Sequence, residues 1–345
     1  MTVQSNRGDD LLKRPPLTRE PGCLTGDLWP NTGAEATHAG GRMGEDEVPG
    51  LGRVSRAGNG AAHGGADAAV ETAMQVWAGV YDALGALHAE QLGYDGLWLS
   101  SLGLSVGRLG LPDAGYLEPE TVLAAIREIS RVATIPLVID IENGYGLPGS
   151  DLAEVASSFF AAGSHALCIE DTVGAKRNSL WHGFHRDLSD VDEIVDRLTR
   201  LVTVAHSQGG AIVARTEALV EGHSVEEASH RVRRYASAGC SAVVVHFRTD
   251  PGAAMEVARR TRGAAKLVVI PTAAPSLTFA DLAAAGFGVY VAANVALRAA
   301  SAATRQALES VLLAKHQAHA VERAASLAEL DALVRTEALV GGASQ

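Results

Sequence analysis

The chain has 345 residues, of which 47% are hydrophobic, so it can fill one large core or two ordinary ones. Its formal net charge is −11 at pH 7, which argues against nucleic acid or an anionic membrane as the main partner, because both favour a basic surface. The three cysteines, Cys23, Cys168 and Cys240, lie far apart and have no metal-binding spacing. We therefore expect a reduced, cytoplasmic setting.

The first 68 residues differ from the rest of the chain in composition and in periodicity. They are rich in Gly, Pro and charged side chains, and they show no sustained helical or strand periodicity. The N-terminus lacks the apolar centre of a signal peptide, and no run of about eighteen apolar residues occurs. We expect residues 1–68 to be a flexible extension, residues 69–345 to be the folded domain, and the protein not to be exported or embedded in a membrane.

From about residue 70, short apolar runs alternate with Ala-rich amphipathic stretches. The predicted strands are 77–81, 96–101, 136–142, 166–170, 211–216, 242–247, 266–271 and 288–293. The predicted helices between them include 118–133, 151–163, 190–208, 224–239 and 250–263. Eight continuous apolar strands alternating with helices predict an α/β fold, a (β/α)8 barrel, with extra C-terminal helices after the eighth strand.

The third predicted strand ends in an unusual way, in the segment "VIDIENGYG" at 138–146. On an extended strand the side chains of Asp140 and Glu142 point the same way and are roughly 7 Å apart. Burying two carboxylates without a cation is unfavourable. The catalytic end of such a barrel is the C-terminal end of its strands, so this pair is predicted to face a site.

The other predicted strands also end in polar groups. These are Ser100, Ser101, Glu170, Asp171, Arg215, Thr216, Glu217, His246, Arg248, Asn294 and Arg298. Carboxylates from neighbouring strands predict a hard cation, Mg²⁺ or Mn²⁺, that keeps several waters. Arg215 and His246 predict a substrate with carboxylate or phosphoryl oxygens.

The segment "EDTVGAKRNSLWHGF" at 170–184 follows the fourth strand and has little helical pattern. At the mouth of a barrel, such a loop can fold over bound substrate and exclude water. It can equally be a solvated connection, and the spacing does not decide between the two.

Seven segments, in order, resemble the phosphoenolpyruvate mutase and isocitrate lyase superfamily over roughly residues 75–315. They are "GYDGLWLSSLGLS", "GLPD", "DIENGYG", "CIEDTVGAKRNSL", "VARTEA", "VVVHF", and the pair "VIPT" and "ANVALRAA" at the ends of strands seven and eight. Each segment alone is weak, and their order makes the resemblance specific. It implies a magnesium-dependent enzyme with a small oxo-acid substrate that carries a phosphoryl or phosphonate group.

The resemblance also implies roles for individual residues. Asp140 would bind Mg²⁺, and Glu142 and Glu170 would hold its water shell. The substrate contacts would come from Trp98, Ser100 or Ser101, Ser179, Leu180 and Arg215. The catalytic set would be Asn178, Arg215, His246, Lys176 and Asp113, of which Arg215, His246, Asn178 and Lys176 would hold the phosphoryl oxygens.

The loop after strand four separates the branches of the superfamily. The lyases carry a Lys-Lys/Arg-Cys-Gly-His motif there, whereas this chain reads "AKRNSLW" and has no cysteine. Lys176, Asn178, Ser179 and Leu180 resemble the loop of the mutases, which interconvert phosphoenolpyruvate and phosphonopyruvate and so form the C–P bond of phosphonates. Related phosphonopyruvate hydrolases have Thr in place of Asn178, yet their segment after strand seven resembles "PTAAPSLT" here.

Four departures from the superfamily pattern keep other functions open. Glu142 replaces an Asp, Asn143 replaces a Thr, Thr172 replaces a Lys, and "WLSSLGLS" is longer than usual. The hypotheses are a mutase first, then a phosphonopyruvate hydrolase, a C–C lyase of a substituted malate or other oxo-acid, and a non-catalytic anion-binding barrel. The resemblance further implies a homodimer or homotetramer that exchanges its C-terminal helices.

Overall fold

The computed structural model describes residues 74–334 and forms a closed barrel of eight parallel strands in chain order. The strands are β1 (Gln75–Val80), β2 (Gly96–Leu99), β3 (Leu137–Asp140), β4 (Ala166–Glu170), β5 (Ala211–Thr216), β6 (Ala242–Val245), β7 (Lys266–Val269) and β8 (Phe287–Ala292). The (β/α)8 prediction is confirmed. The expectation for residues 1–68 lies outside the described residues and stays a prediction.

Ten α-helices are present in the described part of the chain, together with a short π-helical turn at Gly103–Arg108. They are α1 (Ala83–Gln91), α2 (Pro119–Ser130), α3 (Gly149–Ala162), α4 (Val191–Ser207), α5 (Val225–Ser237), α6 (Pro251–Arg260), α7 (Phe279–Ala285), α8 (Val295–Ala314), α9 (Ala318–Val321) and α10 (Leu327–Leu333). Several begin at a side-chain cap that satisfies an otherwise unpaired amide, as Ser224 does for the amide of Glu227. At these helices the cap fixes where the helix starts relative to the preceding strand.

Apolar side chains fill the space on both sides of the strands. One cluster, which includes Trp98, Val138, Cys168 and Val213, packs inside the barrel. The larger cluster, which includes Phe159, packs between strands and helices. Residues on both faces are buried, which is why β4 and β5 read as unbroken apolar runs that end in a charged or polar residue.

The backbone after β3 differs from the prediction. The strand ends at Asp140, and Glu142 lies in a turn with φ of 54°, so the prediction that Glu142 continues the strand is wrong. Gly144 has φ of 80°, and a Cβ there would meet Leu152 Cδ2 at 2.9 Å. The left-handed conformation therefore favours glycine at 144, where a Cβ would also displace the side-chain ends of Leu152 and Arg197. A left-handed glutamate is strained, and such strain is concentrated at functional sites.

The helices after β8 extend away from the barrel core. The 20 residues of α8 include no buried side chain, and Leu312 and Leu313 are each 79% exposed. Extra C-terminal helices are thus confirmed, whereas their exchange between subunits stays a prediction. Over residues 74–334, no helix has the length and apolar character needed to cross a bilayer.

Candidate active site

The predicted site residues converge at the C-terminal end of the barrel, around a cavity of about 60 Å³. Those that line it are Trp98, Ser100, Ser101, Asp113, Asp140, Lys176, Asn178, Ser179, Leu180, Arg215 and His246. The two remaining predicted residues, Glu142 and Glu170, do not line the cavity, but both pair with Lys176. The structure therefore brings the whole predicted set together.

Asp140 occupies the end of β3 and is almost fully buried. Its carboxylate accepts a hydrogen bond from Ser101 Oγ at 3.3 Å and one from the backbone amide of Glu142 at 3.1 Å. Arg215 Nη1 lies 3.5 Å from Asp140 Oδ2. Ser101 is therefore the serine that contacts the acidic group, whereas Ser100 Oγ accepts from the amide of Gly103.

Lys176 connects the two predicted shell glutamates. Its Nζ lies 3.5 Å from Glu170 Oε2 and 3.9 Å from Glu142 Oε1. Burial raises the pKa of Glu142 to about 8, although Lys176 acts in the opposite direction. Burial alone would also raise the pKa of Glu170, but Lys176 and Arg215 bring that pKa below its usual value. The two carboxyls therefore differ in protonation near neutral pH.

The donor set fits a hydrated magnesium ion. Three buried carboxylate oxygens, Asp113 Oδ1, Glu142 Oε1 and Glu170 Oε2, have no hydrogen-bond partner. Glu142 Oε1 and Glu170 Oε2 have only longer ion-pair contacts. Within residues 74–334, no three His, Cys, Asp or Glu side chains are placed close enough to coordinate one ion together. A Mg²⁺ ion here would therefore have few direct protein ligands and would reach the other carboxylate oxygens through water, as magnesium sites commonly do.

Arg215 and His246 form the basic side of the cavity. The guanidinium pairs with Glu217 through Nε, donates to Ser179 Oγ at 2.9 Å, and lies 3.5 Å from Glu170 Oε2. His246 Nδ1 lies 2.9 Å from Glu217 Oε1 and 3.1 Å from Arg215 Nη2, so it faces both an acceptor and a donor. Burial lowers the pKa of His246, although Glu217 opposes that shift.

The loop after β4 lies over the cavity. Asn178 Nδ2 donates to Asp113 Oδ2 at 2.8 Å, and its Oδ1 accepts from the backbone amide of Leu180 at 2.9 Å. The partners Asn178 and Asp113 are 65 residues apart in sequence, so the bond ties the loop to the segment between β2 and β3. Lys176 and Ser179 in the same loop are buried. The sequence left open whether this loop covers the site or is a solvated connection, and in the structure it covers the site.

Some of the polar strand-end residues do not reach the cavity, which corrects the sequence-based expectation. Asp171 turns away and accepts from Tyr235 OH at 2.7 Å and from Arg231 Nη1 at 3.2 Å. Arg298 lies on α8, beside a separate surface groove. Asp171 therefore supports the barrel wall, and Arg298 belongs to the C-terminal helices.

Sequence reasoning missed Arg186 and Glu221. Arg186 lies at the far end of the loop, with its side chain only 4% exposed, and it contacts Glu170, Glu217 and Glu221. Nothing periodic marks an arginine in a loop, and its partners are up to 35 residues away. One feature of the sequence could have predicted such an arginine. The residues at the strand ends include more acidic than basic side chains, and burying that excess negative charge requires a further cation.

Comparison with known proteins agrees with this geometry. The sequence profile of the family described as phosphoenolpyruvate phosphomutase matches residues 69–312. The chain is 33% identical to the phosphonopyruvate hydrolase of Variovorax sp. strain Pal2 over 220 residues, 63% of this chain and 75% of the relative. It is 30% identical to the phosphoenolpyruvate phosphomutase of Streptomyces viridochromogenes over 267 residues, 76% and 83% of the two chains.

A third relative comes from the lyase branch. The 2-methylisocitrate lyase of Salmonella typhimurium is 38% identical over 172 residues, which is 50% of this chain and 57% of the lyase. The match to the lyase is higher in identity and shorter in extent than the other two. Relatives of three different activities are thus similar to this chain.

Two solved structures share the fold. A phosphoenolpyruvate phosphomutase from Streptomyces platensis subsp. rosaceus superposes with a TM-score of 0.74 at 30% identity, covering 78% of this chain and 93% of that one. A phosphonopyruvate hydrolase in complex with oxalate and Mg²⁺ gives a TM-score of 0.71 at 28% identity, covering 78% and 92%. The magnesium ion in the second structure belongs to that protein's site.

Proposed function

We propose that the chain, which belongs to the phosphoenolpyruvate phosphomutase family, is a Mg²⁺-dependent mutase that interconverts phosphoenolpyruvate and phosphonopyruvate. The observation that carries the proposal is the loop bond from Asn178 to Asp113, which covers a cavity containing Arg215 and His246. In the described part of the chain, Cys168 and Cys240 are both buried, and neither lines that cavity. The loop therefore supplies an amide and an ammonium where a C–C lyase would need a thiol.

The cavity suits a phosphoryl group that moves between an oxygen and a carbon of one substrate. The transition state for such a transfer is loose, with charge spread over three equatorial oxygens, so the protein contributes mainly by positioning and by charge. Arg215 is fixed by Glu217 and can donate to phosphoryl oxygens. Lys176 and Asn178 approach the same cavity from the loop.

The opposite side of the cavity suits the pyruvyl part of the substrate and its cation. Asp140 would hold Mg²⁺ directly, and Glu142 and Glu170 would hold its waters. When bound, the ion would stabilise negative charge on the enolate and carboxylate oxygens. Ser101, which already donates to Asp140, is placed to orient the substrate carboxylate or carbonyl.

Exclusion of water decides between transfer and hydrolysis. Water that reaches the phosphoryl group would yield phosphate and pyruvate, so a mutase has to keep the loop closed during the transfer. The Asn178 bond and the buried Ser179 support a closed loop in this chain.

Phosphorus NMR of the full-length protein with phosphonopyruvate and Mg²⁺ tests the proposal. We expect a phosphoenolpyruvate signal to grow and the inorganic phosphate signal to stay small. An unchanged spectrum would contradict the mutase and would direct attention to a lyase of a substituted malate or to a barrel that binds anions without turnover.

The second candidate is a phosphonopyruvate hydrolase. It is favoured by the segment "PTAAPSLT" at 271–278, whose Thr272 lines the cavity and accepts a hydrogen bond from Asn294 Nδ2 at 3.2 Å. The Variovorax relative, at 33% identity, supports it as well. In the same NMR experiment the hydrolase predicts inorganic phosphate and pyruvate with no phosphoenolpyruvate.

We also propose that the protein is a homodimer or homotetramer that buries its C-terminal helices. In a single copy, Leu308, Leu312, Leu313 and Leu327 are each more than 60% exposed, which leaves apolar side chains in water along α8 and α10. Light scattering at micromolar concentration should give a mass of two or four chains, and a monomer mass would contradict this proposal.

A further inference from the structure

Arg186 is the most heavily bonded side chain near the site, and the chemistry proposed above gives it no role. Its Nε donates to Glu221 Oε1, its Nη1 to Glu170 Oε1 and its Nη2 to Glu217 Oε2, each at 2.9 Å. Its own backbone amide donates to Glu221 Oε2, also at 2.9 Å. The guanidinium therefore bridges three carboxylates, which lie on β4 and just after β5.

The same guanidinium also holds the loop. Nη1 donates to the carbonyl oxygen of Arg177 at 3.2 Å, and Nη2 donates to Ser179 Oγ at 3.1 Å. Ser179 Oγ in turn accepts from Arg215 Nη2 at 2.9 Å. A single side chain thus connects the middle of the loop to the barrel and to the arginine of the cavity.

A second arginine holds the loop from another direction. Arg248, which follows β6, donates to the carbonyl oxygen of Trp181 at 2.8 Å and to that of Val220 at 3.0 Å. Its contacts are with neutral carbonyls, whereas those of Arg186 are mostly with carboxylates. Arg186 differs from Arg248 in that it also neutralises buried carboxylates, so its removal would leave buried charge without a partner.

The charges in this region explain why the anchor matters. Glu170 and Glu217 are buried side chains with no exposed surface, and their cations are Arg215, Arg186 and, for Glu170, Lys176. Two of these three cations, Lys176 and Arg186, belong to the segment after β4. Displacement of that segment would leave buried carboxylates with less positive charge, which is unfavourable. The charge balance therefore favours the closed loop.

We propose that Arg186 is a positioning residue that keeps the loop 173–185 closed over the site by joining Glu170, Glu217 and Ser179. It acts through these groups and does not line the cavity. This inference rests on the proposed function only for its effect on products. Without Arg186 the loop opens more often, water enters, and a larger share of the phosphoryl group is lost to hydrolysis.

The test compares Arg186→Gln and Arg186→Lys with the full-length wild-type protein. Arg177→Gln is the matched control, because Arg177 is exposed, lies in the same loop, and has its guanidinium 4.9 Å from the Phe184 ring centre. Amide hydrogen exchange of residues 173–185 is measured beside that of β4 and β5. We expect Arg186→Gln to speed exchange in the loop about tenfold or more beyond any change in the strands, whereas Arg177→Gln changes neither.

Arg186→Lys separates geometry from charge. Lysine keeps the positive charge but has no planar fork that reaches several carboxylates at once, so we expect fast loop exchange in this variant as well. Wild-type exchange in either Arg186 variant would overturn the proposal. So would a parallel loss of protection in loop and strands in both variants, because Arg186 would then support the barrel and not the loop.

Product ratios from phosphonopyruvate with Mg²⁺ give the second readout. We expect the ratio of inorganic phosphate to phosphoenolpyruvate to rise at least about fivefold in Arg186→Gln, an effect that general destabilisation would not produce. An unchanged ratio together with faster loop exchange would overturn the link to products. If wild-type protein makes neither product, the proposed function fails while the exchange result still decides the role of Arg186 in closure.

Discussion

Replacing Arg215 with glutamine should abolish turnover and lower the free energy of unfolding by about 3–5 kcal/mol, the usual effect of removing one member of a buried ion pair. The Arg215 side chain is 7% exposed and pairs with Glu217, Glu170 and Asp140. Glutamine keeps much of the shape but leaves these carboxylates with fewer cations. If the protein is the proposed mutase, the loss of activity follows because the phosphoryl oxygens of its substrate lose their principal donor.

Urea denaturation followed by circular dichroism measures the change in unfolding free energy. The matched control is Arg259→Gln, since Arg259 pairs with Glu256 on the surface with both side chains about half exposed. That variant should cost less than about 1 kcal/mol. Equal stabilities of Arg215→Gln and the wild type would show that the carboxylates do not depend on this cation.

A double-mutant cycle locates the interaction. If Arg215 and Glu217 stabilise each other, the double variant Arg215→Gln with Glu217→Gln should be more stable than the sum of the single changes predicts, by about 1–3 kcal/mol. Additive effects would assign the Arg215 contribution to Glu170 and Asp140 instead. Turnover should be absent in every variant that lacks Arg215.

The barrel could be predicted from the sequence because its signal is local. β4 and β5 match the predicted ranges 166–170 and 211–216 at both ends, since each is a continuous apolar run that stops at a charged or polar residue. In a parallel barrel every strand ends at the same face, so polar residues at those ends converge whatever the loops do. Asp140, Arg215 and His246 were found in this way.

The remaining part of the site depends on tertiary contacts that periodicity does not encode. Glu142 reaches Lys176 from a left-handed turn and not from a strand. The argument from strand alternation therefore predicted the correct end of the barrel for Glu142 but the wrong backbone conformation. Asp171, next to Glu170, faces the opposite way because Tyr235 and Arg231 on α5 bond to it. Arg186 pairs across loops, where no spacing rule applies.

Asp140→Asn should remove Mg²⁺ binding, with the affinity weakened by more than about 100-fold. Loss of a group that contacts a metal only through another ligand already costs about 10–100-fold, and Asp140 is the proposed direct ligand. Ser101 and the amide of Glu142 donate to different oxygens of Asp140, so asparagine can accept only one of these two bonds. Its shape is otherwise that of aspartate, so the barrel should stay folded. Calorimetric titration of the protein with MgCl2 measures the change.

Glu142→Gln is the informative companion variant, because burial raises the pKa of Glu142 to about 8. Below that pKa the carboxyl is protonated, and a cation favours the carboxylate, so binding should release about one proton at pH 7 and almost none at pH 9. The apparent affinity should accordingly rise about tenfold from pH 7 to pH 9 in the wild type. Glu142→Gln should bind more weakly and lose this dependence. Proton release is measured by titration in buffers of different ionisation enthalpy. Equal release in both proteins would mean that Lys176 keeps Glu142 ionised. The glutamate would then differ from the aspartate of the superfamily only in the length of its side chain.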